Sequence, residues 1–191
     1  FQLLEEETSA EVLLELGEFH REYILEHLST LEISEIVGEM DSDDATDIIG
    51  DLEQDKAVDV LDKMEAEDSS EVKELLNYDE NTAGGIMQKE FVIVKTTDSI
   101  ARAVEIIREE APDNEHLYHV WVTDDTGKLV GIVSLKKIIV ALDTPAVIMA
   151  DIMSTEVISV DADTDQEEVA SIMRKYDLVS IPVVDANERV V

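Results

Sequence analysis

Apolar residues in the first half of the chain form short clusters that recur every twelve positions. Each cluster has apolar residues at positions i, i+1 and i+4, which lie on one face of a helix of about two turns. Polar turn residues such as Ser29-Thr30, Asp41-Ser42 and Glu53-Gln54 separate the clusters. The clusters begin at Val12, Ile24, Ile36, Ile48 and Val60. Because none of these short helices can bury its apolar face alone, the pattern predicts an all-α superhelix of stacked short helices.

The second half of the chain follows a different pattern, in which β-branched runs alternate with amphipathic helices. The predicted strands are 91–94, 120–123 and 129–133, and the predicted helices are 98–110 and 135–142. Thr97 or Asp98 is expected to cap the first of these helices. The resulting order, βαββα, then begins again with residues 157–160, 164–175 and 181–185. The second copy stops at Val191, before its last strand is complete.

The two patterns meet at the only Gly-Gly pair of the sequence, Gly84-Gly85. Such a pair suits either a hinge between domains or the left-handed end of a helix. The change of pattern across it favours a domain boundary. We therefore predict an α+β protein of three domains. Residues 1–82 form the helical superhelix, residues 83–148 the first βαββα unit and residues 149–191 the second, truncated unit.

Acidic residues dominate the chain, with 47 Asp and Glu against 14 Lys and Arg and a net charge of −33. This charge argues against nucleic acids and anionic membranes as partners. Residues 1–80 contribute −23 and residues 81–191 contribute −10, so the superhelix has the greater need of a counter-ion. The absence of Cys excludes disulfides and thiolate zinc sites. No apolar run approaches the length of about 18 residues that a membrane span needs.

Asp43 and Asp47 form the first candidate chemical site. They are four positions apart and so lie on one face of the helix predicted there. Two carboxylates about 5 Å apart repel by roughly 3 kcal/mol at an effective dielectric near 20, and a divalent cation, which prefers oxygen ligands, would reverse that repulsion. The pattern by itself favours the simpler alternative, a solvated acidic face whose Asp residues cap the helix and interact favourably with its dipole.

Several segments of the chain resemble one transporter family. The paired βαββα units, each opening with Ile-Met, look like tandem cystathionine-β-synthase-type (CBS) domains. The whole chain resembles the cytosolic part of MgtE magnesium transporters, in which an acidic superhelix of short helices is joined to such a pair through Ala-Gly-Gly-Ile-Met. The segments that carry this resemblance are 78–87, 110–113, 163–170 and Tyr176-Asp177.

The resemblance implies a homodimeric magnesium sensor at the cytoplasmic face of a magnesium-selective membrane channel. The dimer would form through the CBS residues 86–191, and the transmembrane part would follow Val191. Magnesium that bridges the superhelix and the CBS layer would favour a compact, closed state. By position, five carboxylates match magnesium ligands of the family. They are Glu11, Asp43 and Asp47 on the superhelix, and Glu167 and Asp177 in the second CBS unit.

The CBS units depart from the family pattern where related units hold an adenine nucleotide. CBS pairs commonly bind the ribose with a Gly-x-x-Ser/Thr-x-x-Asp run, whereas the run from Gly131 in the first unit has Lys137 in place of the acid. His119 and Leu178 replace aromatic residues of the nucleotide pocket, and Lys136 replaces an arginine. Lys136 keeps a charge for phosphate, but the ribose loses its acceptor. We therefore expect ATP to bind weakly if at all.

Signatures of enzymes are absent from the sequence. It contains no G-x-S-x-G, glycine-rich phosphate loop, dinucleotide fingerprint or H-E-x-x-H motif, and its four His residues are scattered. We therefore predict that the chain is not an enzyme. Three functions stay open: a magnesium-sensing regulatory module, a CBS-type adenine-nucleotide sensor, and a helical scaffold whose acidity only keeps it soluble. Binding of magnesium, of ATP alone or of neither distinguishes them.

Overall fold

The computed structural model describes residues 3–111, 117–144 and 147–191, so Pro112 and Asp113 of the segment 110–113 lie outside the described residues. The chain divides into two compact units. The first comprises residues 1–79 and 87–89, and the second comprises residues 80–86 and 90–191. The short segment 87–89 therefore belongs to the first unit, although the chain on both sides of it belongs to the second.

The first unit is built from short helices that start at a constant interval. They are α1 (Glu6–Glu15), α2 (Glu18–His27), α3 (Thr30–Val37), α4 (Ser42–Gly50), α5 (Gln54–Leu61) and α6 (Ala66–Leu75). The residues that precede their first turns are Glu5, Gly17, Ser29, Asp41, Glu53 and Glu65, twelve positions apart. At each of them the backbone carbonyl accepts a hydrogen bond from the N–H four residues later. The predicted superhelix of short helices is confirmed, and its period is the interval between helix starts.

The sequence pattern misses α6, because Lys73 takes the second position of its apolar pair. Val72 holds the first position and is buried, as is Leu75. The helix therefore buries positions i and i+3 instead of i and i+1. The start of α6 was nonetheless readable from the sequence, since Glu65 follows Glu53 at the same twelve-residue interval as the other helix starts.

The core of the first unit is formed by apolar pairs near the C-terminal ends of the helices. Leu13, Ile48 and Val60 have no exposed surface, and Val37 and Ile49 are 1% exposed. The main contacts join α1 to α3, α3 to α5 and α4 to α6. The helices α1, α3 and α4 thus pack chiefly against the second helix after them, and the stacking buries faces that no single helix could cover.

Three of the four basic residues among the first 80 positions join one helix to another. Lys56 on α5 donates from Nζ to two backbone carbonyls at the C-terminal end of α2, at 2.5 and 3.2 Å, where a cation interacts favourably with the helix dipole. Lys63 donates to Thr30 Oγ1 at 2.7 Å, and Arg21 contacts Asp51 at 2.8 Å. Because these 80 positions hold 27 acidic residues, their few bases leave the unit strongly anionic.

The second unit combines two small sheets with helices. Its elements are β1 (Ile93–Lys95), α7 (Ile100–Glu110), β2 (His119–Thr123), β3 (Leu129–Ser134), α8 (Leu135–Ala141), α9 (Met149–Ile152), β4 (Val160–Asp161), α10 (Gln166–Tyr176) and β5 (Val183–Val184). The first sheet has the order β1-β2-β3, with β1 parallel to β2 and β2 antiparallel to β3. The second sheet pairs β4 and β5 in parallel. The order βαββα is therefore confirmed for the first copy, and its first three elements recur in the second.

No helix in the described parts of the chain has the length and apolar character needed to cross a bilayer.

The cap of α7 differs from the prediction. Ser99 precedes the helix, and its Oγ accepts a hydrogen bond from the N–H of Arg102 at 3.2 Å. The Asp98 carboxylate instead accepts from the N–H of Lys95 at 2.7 Å. The predicted cap, Thr97 or Asp98, is therefore wrong by one or two positions, because the Asp98 side chain closes the turn that leaves β1.

An Asp turn is repeated in both copies. Asp124 Oδ1 accepts from the N–H groups of Thr126 and Lys128 at 2.8 and 3.1 Å, and Asp185 Oδ1 accepts from Asn187 and Arg189 at 2.8 and 2.9 Å in the same pattern. Hydrogen bonds to the charged form lower the pKa of both carboxyl groups. Gly127 and Glu188 hold the left-handed position of their turns, with φ of 84° and 60°.

The opening segment of each copy pairs with the other copy. The N–H groups of Ala83 and Gly84 donate to the carbonyls of Thr164 and Ala162, at 2.7 and 2.8 Å, ahead of α10. In return, the N–H of Met149 donates to the carbonyl of Asp98 at 2.9 Å, ahead of α7. Since α6 ends at Leu75, the alternative that Gly84-Gly85 ends a helix is wrong. The glycine pair lies in a segment that hydrogen-bonds to the second copy.

Replacing Gly131 by Ala is expected to destabilise the second unit. Gly131 lies in β3, where a Cβ would come within 2.6 Å of Met153 Sδ and 3.1 Å of Met153 Cβ. The chain next to Met153 is held in place, because Ser154 and Ile132 exchange two backbone hydrogen bonds of 2.9 and 3.0 Å. Such overpacking costs about 1–3 kcal/mol. Equilibrium unfolding in urea, followed by the fluorescence of the single Trp, Trp121 in β2, measures this loss.

Gly50→Ala is the matched control, since the nearest atom to its Cβ would be Leu76 Cδ2 at an ordinary 3.8 Å. It should cause no loss of stability, because Gly50 lies in α4 and Ala is favoured over Gly within a helix. A wild-type transition in Gly131→Ala would contradict the prediction.

Candidate functional site

Asp43 and Asp47 lie on α4 on the side that the core does not use. Ala45, Ile48 and Ile49 of the same helix are buried, whereas Asp47 is exposed and Asp43 is partly buried. Their spacing places the two carboxylates one turn apart. The structure thus has the acidic face that the sequence predicts on this helix.

The amide of Gln88 holds two carboxylates at the start of α4. Gln88 Nε2 donates to Asp41 Oδ2 and to Asp43 Oδ1, each at 3.2 Å. Asp41 precedes the helix, but its side chain makes no capping hydrogen bond. The alternative that this Asp serves as a side-chain cap is therefore wrong, and its carboxylate shares a donor with Asp43.

Lys89 adds further contacts beside the same helix. Its N–H donates to Ser42 Oγ at 2.9 Å, and its Nζ contacts Glu74 Oε1 at 2.9 Å. The Lys89 side chain is 11% exposed, so the ammonium is well covered. We call residues 88–89 the clip. The clip thus sets an amide donor against Asp43, a predicted magnesium ligand, and its neighbour Asp41, whereas its ammonium contacts Glu74.

The other predicted ligand of the first unit, Glu11, is exposed on α1. The described parts of the chain contain no group of three or more His, Asp or Glu side chains that could hold a metal ion. Within the first unit, the structure therefore gives Asp43 a neighbouring carboxylate, Asp41, but does not gather Glu11, Asp43 and Asp47 into one cage.

Glu167 and Asp177 lie at opposite ends of α10. Glu167 is exposed in the first turn, and Asp177 is exposed at the C-cap. Ten residues of helix span about 15 Å, so these two carboxylates would serve different ions. The Asp177 backbone is left-handed, with φ of 53° and ψ of 46°, and the N–H of Leu178 donates to the carbonyl of Met173 at 2.9 Å.

The predicted ligands are of the chemical type that magnesium prefers, but they do not form an enclosed site. All are carboxylates, the hard oxygen donors that the ion prefers. Magnesium usually keeps several of its water ligands and takes one or two carboxylates from a protein. The residues present therefore fit the ion as separate sites with one or two carboxylates each, completed by water or by further carboxylates.

The residues at the positions that would face a nucleotide form hydrogen bonds with other residues of the chain. Lys137 Nζ donates to the carbonyl of Ile152 at 2.9 Å, so its ammonium is engaged by the end of α9. Ser134 caps α8, and its Oγ accepts from the N–H of Lys137 at 3.4 Å. His119 Nδ1 lies 3.4 Å from Ser180 Oγ, and partial burial lowers the pKa of His119. A neutral imidazole is favoured at neutral pH, so His119 offers phosphate no positive charge.

Sequence reasoning did not identify the clip. Gln88 and Lys89 stand 45 or more positions after Asp43 and follow no apolar period. The only local signal is that two polar donors directly follow the Gly-Gly segment in a region otherwise rich in acids.

Two family models match the chain. A model described as the MgtE intracellular N domain matches residues 1–81, and a CBS domain model matches residues 83–144 and 149–191. The magnesium transporter MgtE of Thermus thermophilus is 42% identical over 122 residues, which are 64% of this chain and 27% of that protein. The MgtE of Bacillus subtilis is 34% identical over 175 residues, 90% of this chain and 38% of the relative. The chain thus spans about a quarter to two fifths of the length of these relatives.

A solved structure confirms the predicted fold class. The cytosolic domain of the Mg²⁺ channel MgtE in complex with ATP matches with a TM-score of 0.90 and 35% identity, over 99% of this chain and 77% of that one. The likeness covers the helical part and the CBS pair together. The relatives named above are transporters, in agreement with the prediction that this chain is not an enzyme.

Proposed function

The chain belongs to the MgtE family of magnesium transporters, and from that membership we propose that it is the magnesium-sensing regulatory region of a magnesium-selective membrane transporter or channel. In this proposal it works at the cytoplasmic face of the cell membrane, and a transmembrane part follows Val191. Magnesium bridges the helical superhelix and the CBS layer, and the bridged state is compact and closed. Loss of the ion lets the assembly open.

The observation that carries this proposal is the distribution of charge. Residues 1–80 carry −23 and residues 81–191 carry −10, so two anionic regions must approach each other in a compact state. Like charges repel, and a divalent ion coordinated by carboxylates from both regions reverses the sign of the interaction. We propose Glu11, Asp43 and Asp47 as the ligands of the first region, and Glu167 and Asp177 as those of the second.

The backbone at Asp177 supports a role for its carboxylate. A helix that ends in the left-handed conformation usually has Gly at that position, because other residues are strained there. Asp tolerates this conformation better than most residues but less well than Gly. An exposed Asp at this position is consistent with a side chain kept for its charge.

Replacing Asp177 by Gly is expected to raise stability while it weakens magnesium binding. The change relieves the left-handed backbone, which is worth about 1 kcal/mol, and removes a proposed ligand. Asp177→Asn should weaken magnesium binding without the gain in stability, because Asn also tolerates the left-handed region. Urea unfolding and magnesium calorimetry measure the two effects separately.

Glu168→Gln is the control for lost charge, since Glu168 is an exposed acid in the first turn of the same helix. It should bind magnesium much as the wild type does. If Asp177→Gly and Asp177→Asn also bind magnesium as the wild type does, Asp177 is only a structural residue.

The second candidate function is a CBS-type adenine-nucleotide sensor. The observation in its favour is that the matching MgtE cytosolic domain was solved in complex with ATP. Calorimetric titration with magnesium and then with ATP separates the candidates. Saturable heat with magnesium supports the magnesium sensor, heat with ATP alone supports the nucleotide sensor, and heat with neither supports a helical scaffold.

ATP is expected to bind the chain only weakly, with a dissociation constant in the millimolar range or above. Lys137 offers a ribose no acceptor and is engaged with Ile152. Lys137→Asp should restore the acceptor and tighten ATP binding about tenfold, the effect of a charge-assisted hydrogen bond. Lys95→Asp makes the same change of charge at an exposed position of β1 and should have no such effect. Micromolar binding of ATP by the wild-type chain would contradict this prediction.

We also propose that the chain forms a homodimer through residues 86–191. The C-terminal part of α8 exposes Ile139, Val140 and, just after the helix, Leu142, with 64%, 78% and 51% of their surfaces accessible. Large apolar side chains that are exposed together on one short segment favour an interaction surface. In the proposed dimer these side chains are buried against a second copy of the chain.

A further inference from the structure

We propose that the clip competes with a divalent cation for the carboxylate of Asp43, so that ion binding on α4 and release of residues 88–89 are coupled. The inference rests on the proposed function, since it specifies how the magnesium site on α4 is regulated. It adds two residues, Gln88 and Lys89, to which neither the family models nor the sequence assign a role.

The first step of the argument is the shared donor. One amide nitrogen of Gln88 lies 3.2 Å from an oxygen of Asp41 and 3.2 Å from an oxygen of Asp43. The two carboxylates would otherwise repel each other, and the amide N–H groups lie between them as shared hydrogen-bond donors. A divalent cation at Asp43 would stabilise the same negative charge. The amide and the ion are therefore alternative partners of one carboxylate.

The second step is the ammonium of Lys89. It contacts Glu74 at 2.9 Å and is only 11% exposed, and the Lys89 N–H is held by the buried Ser42 at 2.9 Å. The clip is thus fixed to the first unit by its backbone and by both side chains. Because the ammonium is paired with Glu74, the groups that oppose a cation at Asp43 are the N–H donors of Gln88, which this anchoring holds against the Asp43 carboxylate.

The third step is thermodynamic. If a bound clip weakens the ion's affinity for Asp43 by some factor, the bound ion weakens the attachment of the clip by the same factor. Residues 88–89 belong to the first unit, whereas 80–86 and 90–191 belong to the second. Release of the clip would remove residues 88–89 from the first unit when the ion binds, while the direct link between residues 79 and 80 would remain.

The test compares Gln88→Leu with the wild-type 191-residue chain. Gln88 is exposed, so the substitution should leave the fold intact. We expect magnesium to bind Gln88→Leu about fivefold more tightly in calorimetry, within the usual range of coupling between sites. Gln54→Leu, the same change at an exposed position in α5, should bind magnesium as the wild type does.

Hydrogen exchange at the Lys89 amide gives a second readout. In the wild type this N–H is protected by Ser42 Oγ, and saturating magnesium should speed its exchange several-fold. Slower exchange with magnesium, or equal or weaker magnesium binding by Gln88→Leu, would overturn the competition.

Asp43→Asn separates this inference from the proposed function. If Asp43→Asn weakens magnesium binding but Gln88→Leu does not strengthen it, the competition is wrong while the magnesium site stands. If Asp43→Asn has no effect on magnesium binding, the site on α4 is wrong and the competition fails with it.

Discussion

Adding millimolar magnesium at constant ionic strength is expected to lower the radius of gyration of the chain in small-angle scattering. Replacing both Asp43 and Asp47 by Asn should raise the magnesium concentration at half-contraction by at least about tenfold, or about 1.4 kcal/mol. The physical reason is that residues 1–80 carry −23 and residues 81–191 carry −10. The two negative regions repel each other until a bound cation bridges them. A ligand that binds only the closed state at 100 times its dissociation constant favours closure by about 2.7 kcal/mol, which is enough to close a modestly open ensemble.

The contraction must be distinguished from simple screening. At about 0.15 M salt the Debye length is roughly 8 Å, so monovalent ions weaken distant repulsion but do not replace coordination at carboxylate oxygens. Asp55 and Asp59 provide a matched control, since both are exposed and stand four positions apart on α5. Replacing that pair by Asn removes the same charge and should leave the magnesium response nearly unchanged. Equal contraction with sodium at matched ionic strength would leave only screening and rule out bridging.

Val140→Asp is expected to convert the proposed dimer into a monomer at micromolar concentration. Val140 is 78% exposed in the described chain, and the proposed dimer buries it. Burying an unpaired carboxylate costs several kcal/mol, and about 3 kcal/mol already weakens association more than a hundredfold. Sedimentation velocity over a range of protein concentrations measures this change directly.

Phe19→Asp is the matched control for Val140→Asp. Phe19 is an exposed apolar residue, 76% accessible, but it lies on α2, outside residues 86–191. It should leave the dimer intact. A wild-type chain that sediments as a monomer at every concentration would contradict the proposal, and so would a dimer of unchanged affinity in Val140→Asp.

The elements of this chain were readable from the sequence because their signals are local. A helix repeats every 3.6 residues and a strand every two, so the twelve-residue spacing of apolar clusters identified five of the helices in the first unit. The sixth was missed where Lys73 broke the apolar pair. The same kind of local pattern identified the strands and helices of the first CBS unit, although it placed the cap of α7 too early.

The sequence by itself determined the fold class, the strong negative charge and the set of carboxylates suited to a hard cation. Only the tertiary structure decided which residues distant in the sequence contact each other. Gln88 reaches Asp41 and Asp43 across more than 40 positions, Lys137 reaches the carbonyl of Ile152, and the opening segment of each CBS copy pairs with the other. Such contacts produce no periodic pattern of residues in the sequence, because they depend on how whole helices and strands pack and not on the geometry of consecutive residues.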